Sequence, residues 1–100
     1  MQQDRFLKIN PSLLHLPVTR PSGADPAKLQ RQIAQYGASI QGMPPIGAYR
    51  GTDGALLIFD GVTRATRAAM LRPGERVLIE IMGQLRLPCG HLPTVGERLP

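Results

Sequence analysis

The residues best suited to chemistry are Gly61-Val62-Thr63-Arg64, which follow the apolar run Ala55–Phe59. A glycine placed where a strand ends and a helix begins leaves the first helical N–H groups without intrahelical partners. Such a terminus is a ready site for phosphate. Arg64 and Arg67 are three apart, hence one turn apart on one helical face, and a guanidinium there can add charge-assisted hydrogen bonds to the same anion. The junction predicts an anion cradle built from the N–H groups of Val62, Thr63 and Arg64 and from the Arg64 side chain.

The surrounding side chains each have a functional and a plainer reading. Thr63 offers a hydroxyl to a phosphate or a cap to the helix. Asp60 suits a metal or a ribose, but N-capping is the commoner use of such an aspartate. Arg67 reads as solvent-facing rather than liganding, and Asp53 reads as a turn residue. Cys89-Gly90-His91 supplies one thiol and one imidazole with no second pair elsewhere, too few for a tetrahedral metal site, so no metal ligands are assigned. His15 lies among leucines and reads as a packed histidine. No carboxylate pair and no Ser/His/Asp set is evident, which leaves classical hydrolysis without a candidate.

The elements that must position the cradle can be read from periodicity and punctuation. Phe6–Ile9 alternates apolar and basic residues as a short strand, ended by Pro11. Leu13–Leu16 leads into a loop over residues 17–24 that carries Arg20-Pro21. Asp25-Pro26 is a helix start, with Asp as N-cap and Pro at the first helical position. Leu29, Ile33 and Tyr36 then recur at helical spacing, and Gly37 stops the helix. Pro44-Pro45 forces an extended lead-in to a strand at Ile46–Arg50. Gly51-Thr52-Asp53-Gly54 has hairpin chemistry. The return strand, Ala55–Phe59, is almost wholly apolar and reads as covered on both faces.

A second helix is expected from about Gly61 to Leu71, with Val62, Ala65, Ala69 and Met70 as its buried stripe. Arg72-Pro73-Gly74 ends it. Arg76–Met82 reads as a last strand with Val77, Ile79 and Ile81 on one face. From Gly83 onward, Pro88, Pro93 and Pro100 argue against regular structure, so residues 85–100 read as a peripheral tail to a domain spanning 1–84. Leu29, Ile33, Ile46, Leu57, Ile58, Ala69, Val77 and Ile79 are the expected core. The order strand, helix, hairpin, helix, strand predicts an α+β domain, a small mixed sheet flanked by helices.

Composition narrows the class. One hundred residues with 42% hydrophobic and 19% charged content fit a single folded domain. The single cysteine excludes an internal disulfide and fits a reducing compartment. No run is long enough for a transmembrane helix, and Met1–Arg5 lacks the basic-then-apolar form of a signal peptide, so a cytoplasmic location is expected. The net charge of +5 comes mainly from arginine, which suits bidentate phosphate binding, but the basic residues are scattered. That pattern points only weakly to nucleic acid.

Taken together, the ordered elements and motifs resemble the ParB N-terminal/sulfiredoxin-like superfamily over roughly residues 6–84. Arg20-Pro21 matches the family's Arg-Pro loop, Asp25–Gln30 its Asp-initiated helix, and Pro44-Pro45-Ile46 its Pro-Ile strand. Phe59-Asp60-Gly61-Val62-Thr63-Arg64 stands where sulfiredoxins carry Phe-Gly-Gly-Cys-His-Arg. It also stands where ParB proteins carry Gly-Glu-Arg-Arg, and Arg67-Ala68-Ala69 matches the Arg-Ala-Ala helix that follows. The resemblance implies that Gly61 and Arg64 hold nucleotide phosphate, with Arg20 folded toward the nucleotide. It also implies CTP or ATP/ADP with Mg²⁺ as ligand and a link to DNA.

The chemistry of the two branches does not carry over. Val62 occupies the position of the sulfiredoxin cysteine and has no nucleophile. Val62-Thr63 replaces the ParB Glu-Arg pair, and no room remains after Met82 for a helix-turn-helix domain. Three functions are therefore expected in order. The first is a ParB-like nucleotide- or phosphate-binding domain in DNA-associated or regulatory work. The second is a degenerate member serving as a protein-interaction module. The third is a phosphotransfer or nuclease-like enzyme with Asp60 or Glu80 as its carboxylate.

Overall fold

A computed structural model describes residues 5–100; the reading of Met1–Asp4 against a signal peptide lies outside them. The chain forms β1 (Phe6–Ile9), α1 (Pro26–Tyr36), β2 (Ile46–Arg50), β3 (Leu56–Asp60), α2 (Val62–Leu71) and β4 (Val77–Gln84), with 3₁₀ turns at Pro11–Leu13 and Gly96–Arg98. The four strands make one mixed sheet in the order β1-β4-β2-β3. β4 is antiparallel to β1 and parallel to β2, and β2 and β3 form the antiparallel hairpin. The α+β class expected from the element order is the one observed.

Local chemistry explains the boundaries. Asp25 caps α1 by accepting from Lys28 N–H at 3.0 Å, Pro26 opens the helix, and Gly37 closes it with φ 60°. In the hairpin turn Gly54 takes φ 84° and donates to Gly51 O at 3.0 Å. Beyond Leu71, Arg72 leaves helical geometry, and Pro73 cannot continue the helix.

The core lies between the helices and one face of the sheet. Leu29, Ile46, Ile58, Ala69, Val77 and Ile79 are buried as expected, together with Leu14, Leu16, Ala48, Leu56, Ala65 and Ala68. Ile33 and Leu57 are only half-buried. The expectation that the return strand is covered on both faces is corrected. Strand alternation sends Leu56 and Ile58 inward, while Leu57 faces outward beside Tyr49 and Phe59 is 62% exposed. The helices cover one face alone, so apolar content did not translate into two-sided burial.

A second correction concerns residues 85–100, which are not peripheral. Cys89 and Val95 are both buried, and Val95 belongs to the main core. The residues beside β3 explain this. His15 N–H donates to Leu56 O and Ile58 N–H donates to His15 O, both at 2.9 Å, so residues 14–16 line the edge of β3. On their other side Leu16 N–H donates to Pro93 O at 2.7 Å and Val95 N–H to Leu14 O at 2.9 Å. Prolines suppress regular elements here, yet backbone pairing still holds the segment in place. His15 adds to this: its Nδ1–H donates to Leu92 O at 2.7 Å.

Asp53 does more than shape its turn. Its carboxylate accepts from Ala55 N–H at 3.2 Å, Cys89 N–H at 3.3 Å and Gly90 N–H at 2.8 Å, joining the hairpin to the C-terminal segment. The Gly90 amide above all holds this carboxyl below its ordinary pKa; burial opposes it, and the Cys89 and Ala55 amides add to the lowering. Burial, followed by the Asp53 charge, raises the Cys89 thiol pKa. Gly51 sits at the same junction. A Cβ there would stand 2.8 Å from Cys89 Sγ, 2.8 Å from Asp53 Oδ1 and 3.0 Å from Cys89 N. Gly51→Ala is expected to lower stability by about 1–3 kcal/mol through overpacking, read as a lower urea midpoint; an unchanged midpoint would show that this junction yields freely.

Candidate functional site

Five residues expected to hold an anion, Arg20, Gly61, Val62, Thr63 and Arg64, line one cleft of about 290 Å³. They come from the loop after Leu16 and from the start of α2. Gly61 is the N-cap of α2, with φ 110° and ψ 28°, and no side-chain hydrogen bond caps the helix. Asp60 therefore does not fill the N-cap role read for it, and Thr63 lies inside the helix rather than at its cap. The first N–H groups of α2 have no capping side chain and stand beside the cleft.

Arg64 is held more firmly than its sequence context suggests. Its Nη2 donates to Pro45 O at 2.6 Å and to Asp60 Oδ2 at 3.3 Å, and its Nε donates to Pro44 O at 3.2 Å. The side chain is 17% exposed, and its guanidinium lies against Gly61, where a Cβ would come within 2.8 Å of Cζ. Gly61 thus meets two demands at once: a left-handed backbone and space for the guanidinium. The Pro-Pro carbonyls fix the arginine at the mouth of the helix.

The sequence analysis assigns no site role to Pro17 and Thr19 in the loop or to Lys28 and Gln32, one turn apart on α1, yet all four line the cleft. Nothing near Lys28 or Gln32 in sequence marks it for this role; α1 reaches the start of α2 only because the two helices pack together. Lys28 adds a third positive side chain to Arg20 and Arg64. Asp60, largely exposed, opposes them in part, although its ion pair with Arg64 at 3.3 Å offsets that charge locally.

Arg67 departs from expectation most. It is 2% exposed rather than solvent-facing. Its Nη1 donates to Gly37 O at 2.9 Å and Ser39 O at 2.7 Å, and its guanidinium lies 5.2 Å from the centroid of the Tyr36 ring. The residue clamps the C-terminal end of α1, where helix carbonyls lack intrahelical donors. Arg67 also lines a second cleft of about 350 Å³ with Tyr36, Met43, Gln32 and Arg64. Gln32 and Arg64 line both clefts. Among the described residues, Arg67 Nε and Gln32 Oε1 are buried polar atoms without a hydrogen-bond partner.

Other candidates lie elsewhere. Glu80 sits on the far face of the sheet, opposite Phe6, and pairs with Arg5, whose Nε donates at 2.7 Å. It is not among the cleft residues, so of the two carboxylates considered for phosphotransfer only Asp60 is placed there. Among the described residues no group of three or more His, Cys, Asp or Glu is placed to hold a metal ion, and no helix is long and apolar enough to cross a membrane. Comparison with protein-family models, with curated proteins and with solved structures finds no match in any of the three.

Proposed function

We propose that this is a ParB-like nucleotide- or phosphate-binding domain, acting in DNA-associated or regulatory work, with the anion at the start of α2. The observation that carries this reading is the convergence of Arg20, Lys28 and Arg64 on the uncapped helix N-terminus at Gly61. Free N–H groups, the positive end of the helix and three cationic side chains all favour a phosphate at that point. Arg64 arrives pre-oriented by the Pro44 and Pro45 carbonyls, which reduces the ordering cost of binding.

A nucleotide suits the site better than bare phosphate because the second cleft adjoins the first at Gln32 and Arg64. The Tyr36 ring and the polar residues Gln32, Ser39 and Gln41 line that second cleft and suit a nucleoside. One carboxylate, Asp60, and two hydroxyls, Thr19 and Thr63, line the phosphate cleft. That donor set suits Mg²⁺ carried in by a nucleotide, since magnesium commonly takes one or two carboxylates plus phosphate oxygens.

Calorimetric titration with nucleoside di- and triphosphates in Mg²⁺, and with inorganic phosphate, tests the reading. Arg20→Ala combined with Lys28→Ala is the preferred variant, because both side chains are exposed and their loss should leave the fold intact. Affinity is expected to fall about ten- to a hundredfold, as hydrogen bonds to charged groups contribute about 1.5–3 kcal/mol. Binding should weaken as salt rises. No binding by the parent chain would leave the protein-interaction role in its place.

A further inference from the structure

We propose that the open face of the sheet is a docking surface for single-stranded nucleic acid. The chain has four aromatic residues, and three of them, Phe6, Tyr49 and Phe59, stand on the face that the helices do not cover. Register places them there. Phe6 lies opposite Glu80, on the side away from buried Ile79, and Tyr49 lies opposite Leu57, away from buried Ala48 and Ile58. Phe59 occupies the irregularity between the Gly47–Asp60 and Ala48–Ile58 pairs, and its ring meets Tyr49 edge-on with centroids 5.3 Å apart. Phe6 is 49% exposed and Met82, on the same side, is 45% exposed.

Exposed rings and other apolar surface gathered on one sheet face mark an interaction site. Bases stack on such rings regardless of sequence, because every base has a π-face. β1 and β3 are three strand spacings apart, roughly 14 Å at about 4.8 Å per spacing, so Phe6 and Phe59 would receive separate bases. A duplex keeps its bases stacked within the helix, whereas a single strand can splay them onto rings. The charge agrees. Lys8 projects from this face opposite Leu78, Arg76 immediately precedes β4, and Arg5 both neutralises Glu80 and lies 5.9 Å from the centroid of the Phe6 ring. A second copy of this basic chain would bring like charge against the face, while a polyanion complements it.

The test is fluorescence anisotropy of labelled fifteen-nucleotide oligo(dT) and oligo(rU), and of a duplex of equal length, titrated with the full chain at two salt concentrations. The parent is expected to bind the single strands at least tenfold more tightly than the duplex, and less tightly at higher salt. Phe6→Ala and Phe59→Ala should each weaken single-strand binding roughly five- to a hundredfold. Lys8→Gln, which removes no core contact, should reduce the salt slope by roughly 0.7. Phe59 also walls the anion cleft, so Phe6→Ala is the variant expected to keep the parental affinity for a free nucleotide. Failure of the cleft reading and failure of this one are thereby separated.

Parental affinity in both aromatic variants would overturn the proposal, as would equal affinity for duplex and single strand or no binding of either oligonucleotide. Sedimentation showing a dimer that Phe59→Ala dissociates would assign the face to self-association instead.

Discussion

Replacing Arg67 with alanine is expected to remove about 3 kcal/mol of stability, although its short context resembles a solvated helix surface. The guanidinium makes two hydrogen bonds from one nitrogen, to Gly37 O at 2.9 Å and Ser39 O at 2.7 Å, and stacks on Tyr36. A hydrogen bond involving a charged group contributes about 1.5–3 kcal/mol. Two would suggest more, but Gly37 is half-buried and Ser39 exposed, so water can replace part of what is lost. A total near 3 kcal/mol is a large fraction of the roughly 5–15 kcal/mol typical of such a domain. The melting temperature should fall by roughly 12–24 °C, at about 4–8 °C per kcal/mol.

Arg67→Met distinguishes the roles of charge and bulk. It keeps the aliphatic stem against the core while losing the clamp, so it should recover only the packing part of the loss. Arg67→Lys should also fall short, because a single ammonium does not reproduce the planar fork. Thermal melts near the parental value for Arg67→Ala would show that the end of α1 is held by packing alone.

Gly61→Val is expected to remove anion binding and to destabilise the chain by about 2–3 kcal/mol. Two causes act together. A backbone at φ 110° is strained for a β-branched residue by about 1–3 kcal/mol. The new Cβ would also meet Arg64 Cζ at 2.8 Å and push a guanidinium that the Pro44 and Pro45 carbonyls hold in place. Displacing Arg64 takes the cation away from the N–H groups of α2. Gly61→Ala should show the same strain with less crowding, and so an intermediate loss. Calorimetry with nucleotide and a parallel urea melt read the two effects separately. Parental affinity in the valine variant would remove the helix start from the binding account.

Arg64 itself is a poorer single probe than its place in the motif implies. Its donors serve the Pro44 and Pro45 carbonyls as well as the cleft, so Arg64→Ala mixes a structural loss with any loss of binding. Arg20 and Lys28 avoid that mixture, because both are exposed.

Much of the local structure was legible in the residues. Asp25-Pro26 and Gly37 bound α1 because their signals act within one turn, through a capping carboxylate, a fixed φ and a positive φ. Gly51–Gly54 made the hairpin turn for the same reason. The strand-to-helix junction at Gly61 was also visible, since a glycine between an apolar run and an alanine-rich helix specifies its own backbone. These are short-range effects, and short-range chemistry is written in consecutive residues.

Tertiary packing decided the rest. Whether the Leu56–Asp60 strand is covered on one face or two depends on how many layers surround it, and the apolar run alone cannot count layers. Val95 and Cys89 became buried because residues 14–16 line the β3 edge and pair in turn with residues 93–95, a match between segments nearly eighty residues apart. Arg67 is buried because the carbonyls at the end of α1 face it across the helix pair. Lys28 joins the cleft for a related reason: packing of α1 on α2 places the first turn of one helix beside the start of the other. The sequence alone thus determined the glycine that starts α2 without a capping side chain. Only the tertiary structure decided which distant cations surround it, because that choice rests on helix packing and not on local preference.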